Sequence, residues 1–208
     1  MGPMRVLVTG FGPFPGVTLN PSEAAVDALQ RRADTGRMPG LQVGTAVLPV
    51  DFTTIPGQIA EIMRLVRPQL VLCTGVDMGA EAITVERVAI NLLDARVPDI
   101  KGAQPVDQPV VPGAPDGLFA TIPVKAVRRA IQQSGAPAEL SLSAGTYGCN
   151  ALMFAALHHA PPGTRVGFLH IPSLRVMGTA TSATALAAAV QACVEHETDI
   201  DEVGGELA

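Results

Sequence analysis

Residues 1–75 alternate apolar strand-like runs with helical patterns, and this alternation limits the fold more than any other feature of the chain. Residues 5–9 form a β-branched run, ended by a loop that holds Gly10, Gly12, Pro13, Pro15 and Gly16. Asn20-Pro21-Ser22-Glu23 predicts a helix through about Arg31, with Asn20 as its cap and Pro21 in its first turn. Residues 41–50 read as a second strand and residues 70–74 as a buried third. Between them, Ile55, Ile59, Ile62 and Val66 fall in helical phase over residues 53–66. A βαβαβ pattern with apolar strands predicts an α/β fold, a three-layer α/β/α arrangement in which helices flank a largely parallel twisted sheet. The 208 residues suit one well-filled core, hence a single domain over residues 1–208.

Beyond Gly75 the regularity lapses and then returns. Residues 84–92 read as one more strand. Residues 93–117, rich in Pro, Asp and Gly, are too long an aperiodic stretch for an ordinary connection and read as either a functional or a disordered loop. A helix over 124–134, a short strand over 140–143, a helix from Cys149, a strand over 165–170 and an alanine-rich helix near 182–194 complete the pattern. In open α/β sheets a site lies beyond the carboxyl ends of the strands. Here those ends deliver Phe11 and Phe14, then residues 75–80, then Cys149, and last His170.

Charge and cysteine usage remove several function classes. The net charge is −5 and the fourteen basic residues are scattered, unlike the basic stripe of a nucleic-acid binder. No apolar run reaches the roughly eighteen residues of a membrane span. The first strand begins without a basic and then apolar leader, which predicts a cytoplasmic protein. Three cysteines, Cys73, Cys149 and Cys193, are an odd number at wide spacing, which suits neither a disulfide framework nor a metal site. No cofactor and no metal are expected. The acidic residues Glu195, Glu197, Asp199, Asp201, Glu202 and Glu206 form a tail expected to fray or to cap the last helix. An apolar, alanine-rich chain also suggests a homo-oligomer, a dimer or a tetramer.

Within this frame Cys149 stands out. It follows a strand and a turn of small residues (Ala144, Gly145, Thr146, Gly148) and opens a run that carries Leu152, Phe154, Ala155 and Leu157 on one helical face. At a helix start the first N–H groups are unpaired and the dipole end is positive, which favours a thiolate and so a nucleophile. The alternative is a small buried apolar residue, as most free cysteines are. His158 and His159 lie more than two turns from Cys149, roughly 13 Å away, and His196 belongs to the acidic tail. His170 ends an apolar strand, a costly place for an imidazole unless it is hydrogen-bonded. It is either a satisfied core histidine or a general base. Glu86, a carboxylate inside the β-branched run Thr84-Val85-Glu86-Arg87-Val88, is either an exposed residue of an edge strand or the group that orients that base.

Four separated motifs stand in order: Val8-Thr9-Gly10-Phe11-Gly12-Pro13-Phe14 with Asn20-Pro21-Ser22; Glu86-Arg87-Val88-Ala89-Ile90-Asn91 with Asp94-Ala95-Arg96; Ala144-Gly145-Thr146-Tyr147-Gly148-Cys149-Asn150; and Gly167-Phe168-Leu169-His170-Ile171-Pro172. Together they resemble the pyroglutamyl-peptidase I (pyrrolidone-carboxylate peptidase) family. The resemblance implies a cysteine peptidase that removes N-terminal pyroglutamate from peptides, with Cys149 as nucleophile, His170 as base, Glu86 as orienter and Arg96 near the oxyanion. It places the substrate ring among Phe11, Phe14, Asn20, Val76 and Tyr147. Apolar walls suit a neutral lactam, and two phenylalanines suit a flat ring in a chain with 3% aromatic residues. The chain departs from the family pattern at Val76-Asp77-Met78-Gly79-Ala80, where Gln-x-Gly-Gly-Arg is usual. It departs again at Leu93 and at Ser173-Leu174-Arg175-Val176-Met177. Two other readings remain at this stage, a cysteine amidase for another small acyl group and a non-catalytic binder of a pyroglutamate-like molecule.

Overall fold

The structure, a computed structural model, describes residues 2–205. Its main sheet has six strands in the order β2-β1-β3-β8-β4-β7. These are β1 (Met4–Phe11), β2 (Leu41–Leu48), β3 (Leu70–Asp77), β4 (Ile83–Glu86), β7 (Ala138–Ser141) and β8 (Arg165–Pro172). Two short strands, β5 (Val88–Ile90) and β6 (Gly117–Phe119), pair antiparallel beside it. Five helices cover both faces: α1 (Pro21–Asp34), α3 (Val124–Gln133) and α5 (Thr179–Glu195) over one core, α2 (Ile55–Val66) and α4 (Gly148–His159) over the other. The expected three-layer α/β/α arrangement is present. Among the described residues no helix is long and apolar enough to cross a membrane.

The first half of the chain folds as its pattern dictates. Asn20 caps α1, its Oδ1 accepting from Ser22 N at 3.0 Å, and Pro21 lies in the first turn. On α2, Ile55, Ile59 and Met63 are fully buried, each contributing roughly 1.5–3 kcal/mol of apolar burial. β1, β2, β3 and β8 run parallel. β4 runs antiparallel to β8 and parallel to β7. A short link is the reason. Only five residues, 78–82, join β3 to β4. They can span roughly 17 Å, enough to pass over the end of β8 two strand spacings away but not to return to the far edge of the sheet. β4 therefore starts at the carboxyl edge and runs back.

Four expectations need correction. The run over 84–92 is two strands in two sheets, because Arg87 leaves the main sheet: its N–H donates to Ser141 O and its carbonyl accepts from Ala120 N. The strand expected over 140–143 is β7, which ends at Ser141 and runs against β1, β3 and β8. Its carboxyl end therefore does not reach the shared carboxyl edge, and residues 142–147 bring Cys149 back to it. α4 is not amphipathic. Residues 150–156 are all buried, since the helix packs against α2, the sheet and the β5–β6 pair.

The described part of the acidic tail packs on α3 and does not cap α5. The Asp199 carboxylate accepts from Lys125 N (3.0 and 3.1 Å) and Ala126 N (3.0 Å), capping α3, whose own Pro123 provides no side-chain cap. Glu202 pairs with Arg128 at 2.6 Å and with Arg129 at 2.5 Å. Glu206 lies outside the described residues. Asp199→Ala is expected to lower the unfolding free energy by about 1 kcal/mol, the usual cost of a lost helix cap, measured by urea denaturation.

Candidate active site

Three neighbouring strands build the centre by register alone. His170 on β8 stands opposite Gly75 on β3 and opposite Thr84 on β4. Glu86, two residues beyond Thr84, shares its face of the sheet and sits on the diagonal from His170. The antiparallel course of β4 thus sets the carboxylate beside the imidazole: Glu86 Oε1 lies 2.7 Å from His170 Nδ1. The same Oε1 accepts from Thr84 Oγ1 at 3.1 Å, while the buried Oε2 has no protein partner. Glu86 is 1% exposed on an inner strand, which excludes the exposed-edge alternative.

Cys149 arrives from the other direction. It is the second residue of α4, whose Tyr147 cap offers no side-chain acceptor, so the N–H groups of residues 148–150 have no partner within the helix. Its sulfur sits over Gly75. A Cβ on that glycine would lie 2.5 Å from Cys149 Sγ and 3.0 Å from Phe168 Cζ, so only glycine leaves room for the thiol. With Nδ1 held by Glu86, the other ring nitrogen, Nε2, is the one left for Cys149. Burial alone would lower the His170 pKa. The negative charge and hydrogen bond of Cys149, with the Glu86 hydrogen bond and charge, outweigh it and raise the value to about 10. The arrangement holds an imidazolium between a sulfur and a carboxylate at neutral pH.

Cys149 opens into a cavity of about 320 Å³ lined by Phe11, Phe14, Asn20, Val76, Arg96 and Tyr147, with Val50, Asp94, Val97, Thr146 and Gly148 completing the wall. Every residue assigned to the substrate from the sequence borders this cavity; His170 and Glu86 lie behind the cysteine. Asn20 is committed to the fold, accepting from Ser22 and donating Nδ2 to Gly12 O at 3.0 Å. It shapes the loop that carries Phe11 and Phe14. Tyr147 stands edge-on to Phe52, ring centroids 4.8 Å apart, and donates its hydroxyl to Pro98 O at 3.0 Å. Burial first, then the charges of Asp99 and Cys149, raise the phenol pKa above its usual value and keep that donor protonated.

Sequence reasoning reached Gly75 only within the 75–80 stretch and Asp94 only within a family motif, and overlooked Thr84, Val97 and Asp99. Gly75 was detectable as a glycine closing a buried strand, the mark of a close approach. The loop residues carried no periodic signal. His158 and His159 sit in the last turn of α4, as their spacing implied, and take no part in the site.

A raised imidazole pKa fixes a sign. The stability that the protonated His170 contributes is fully present below its unfolded value near 6.5 and is lost as pH rises through about 10. Glu86→Gln removes the carboxylate charge and is expected to lower the His170 titration midpoint from about 10, followed by NMR of the imidazole protons.

A family model described as pyroglutamyl peptidase matches residues 4–197. The pyrrolidone-carboxylate peptidase of Clavibacter michiganensis is 41% identical, over 97% of this chain and 98% of the relative. That of Thermococcus kodakarensis is 44% identical over 81% of each chain. Among solved structures, the pyroglutamyl peptidase I of Bacillus amyloliquefaciens superposes with a TM-score of 0.85 at 34% identity, covering 95% of this chain and all of that one. With family model, relatives and fold in agreement over almost its whole length, the chain belongs to the pyroglutamyl peptidase family.

Proposed function

We propose that the chain is a single catalytic domain that removes N-terminal pyroglutamate from peptides by way of a thiol acyl-enzyme. The observation that carries this reading is the Cys149–His170–Glu86 array opening directly into a cavity with aromatic and aliphatic walls. A lactam ring lies flat between Phe11, Phe14 and Tyr147, with the exocyclic carbonyl carbon that joins it to the peptide over Cys149. An ordinary N-terminus, charged as an ammonium, would lose its hydration there against apolar walls.

The proposed chemistry follows from the charges. The Cys149 sulfur attacks the pyroglutamyl carbonyl carbon, and the oxygen takes up the negative charge. Free N–H groups at the start of α4, including that of Cys149, and the Arg96 guanidinium stabilise it. His170 Nε2 gives its proton to the leaving amine as the C–N bond breaks, which releases the shortened peptide and leaves a thioester. His170, now neutral, takes a proton from water, whose oxygen adds to the thioester carbon. Pyroglutamate leaves and the thiolate–imidazolium pair is restored. Glu86 fixes the ring with Nε2 toward the sulfur and stabilises its charge.

Val76 gives the cavity an aliphatic wall where the family pattern has a glutamine, so ring recognition here rests on shape and backbone groups. Action in the cytoplasm and assembly into a homo-oligomer belong to the same reading. Large apolar side chains left exposed on one chain, Leu65, Phe119 and Leu142 among them, suit the assembly.

Release of a fluorogenic amine from its pyroglutamyl amide, with the prolyl amide as control, tests the reading. Turnover of the pyroglutamyl amide alone is expected, with Cys149→Ala lowering kcat by about 10⁴-fold or more. Arg96→Ala is expected to lower kcat by about 10²-fold, the usual scale for one oxyanion donor. Folded, reduced wild-type protein that cleaves neither amide would overturn the reading in favour of another acyl group or of binding alone.

A further inference from the structure

The wall of the ring cavity formed by Arg96 and Val97 comes from an aperiodic loop, and something must hold it at a fixed height. The structure shows two independent fastenings. On one side, the loop is tied to the segment that leads into Cys149: Asp94 N donates to Thr146 O at 3.1 Å, Thr146 Oγ1 to Asp94 O at 2.8 Å, and Tyr147 Oη to Pro98 O at 3.0 Å. On the other, Asp99 reaches the connection between β2 and α2. Its Oδ2 accepts from Phe52 N at 2.9 Å, and Ile100 N donates to Val50 O at 3.2 Å. Asp99 also organises its own turn, Oδ1 accepting from Lys101 N (2.8 Å) and Ala103 N (2.9 Å).

Asp99 is 3% exposed, and no Lys or Arg pairs with it among the described residues. A carboxylate buried without a cation is expensive, and here three backbone N–H groups satisfy it. The three bonds converge from two segments. Cavity-lining Val50 lies two residues before Phe52, and the Phe52 ring packs against Tyr147. Asp99 thus joins the Val97 wall, the Val50 wall and the Tyr147 wall.

We propose that Asp99 is a positioning residue for the pyroglutamyl pocket: its carboxylate sets the separation between the Arg96–Val97 wall and the wall formed by Val50 and Tyr147, and so decides how tightly a five-membered lactam is gripped. This rests on the proposed function for the identity of the ring. It does not rest on it for the existence of the strap. Asparagine at this position is a discriminating change. Its single oxygen can satisfy Lys101 N and Ala103 N, which leaves its NH₂ facing Phe52 N–H. The turn survives and the link between the two walls is cut.

The experiment compares wild type, Asp99→Asn and Tyr147→Phe, the last removing only the hydroxyl bond to Pro98. Three quantities are read: kcat/KM for the pyroglutamyl amide, the rate at which iodoacetamide alkylates Cys149 as followed on its peptide by mass spectrometry, and the concentration of 2-pyrrolidone, a neutral lactam, that halves that rate. For Asp99→Asn a misplaced wall is expected to raise the half-protecting concentration and lower kcat/KM by about tenfold each. Alkylation without the lactam should stay within about twofold, because the thiol and its histidine are untouched. Tyr147→Phe should shift the same two quantities in the same direction by about threefold, one neutral hydrogen bond being lost. Protection unchanged in Asp99→Asn overturns the proposal, whatever Tyr147→Phe does. So does a fall in unprotected alkylation that matches the fall in turnover, since Asp99 would then support the site at large. If Asp99→Asn does not fold, Asp99→Ser, whose one oxygen can keep the turn but cannot also reach Phe52 N, takes its place with the same expected outcomes. Should the wild type fail to cleave the amide, the proposed function fails, and the protection measurements still decide whether the strap sets the grip on a lactam.

Discussion

The hydrogen bond between Glu86 and His170 is the contact on which the centre depends. Both groups are buried, and in that environment neither tolerates isolation: removing one partner of a buried pair costs about 3–5 kcal/mol because the other is left unpaired. The sheet is arranged to avoid this. β4 turns back against β8, so a carboxylate and an imidazole from distant parts of the chain fall on one diagonal. Oε1 receives both donors, so the carboxylate meets the ring in one orientation. That orientation leaves the opposite nitrogen for the sulfur of Cys149.

The cavity follows a different logic from the centre behind it. The centre is made of strand residues whose positions the ladder dictates. The cavity is made of loops, the β1–α1 turn with Phe11 and Phe14, the Val50 connection, the Arg96–Val97 segment and the Tyr147 turn, and loops need fastening. Asn20 spends its amide on the first of these, Asp99 joins the second and third, and Tyr147 joins the third and fourth. Polar side chains buried under an apolar pocket thus act as its frame, and the surface offered to a ring stays aromatic and aliphatic.

Much of this was legible in the sequence, for identifiable reasons. Apolar runs at 5–9 and 70–74 had to be buried on both faces, and with the half-buried run at 41–50 and the helices between them that requirement led to the three-layer fold. Cys149 was conspicuous at the start of a helix, His170 at the end of an apolar strand and Glu86 inside a β-branched run. Other features had no local signature. The direction of β4 depends on the reach of a five-residue link over a strand not yet met in the chain. Arg87 divides a run whose β-branched character continues across the break, because the partner changes and the pattern does not. Asp199 caps α3 from 74 residues away, where no spacing rule operates. Gly75 matters by lacking atoms, and Asp99 lies in an aperiodic stretch whose length set it apart but whose pattern marked no single residue.

The order of strands also has a temporal meaning. β3 and β4 follow one another in the chain, yet they do not touch; β8, nearly the last element to be synthesised, lies between them. A nascent chain that has made residues 1–160 already carries Cys149, but it has a gap in the middle of its sheet and no imidazole to face the sulfur. The Cys149–His170 pair therefore comes into being only with closure of the sheet, and under the proposed mechanism no turnover precedes completion of the fold.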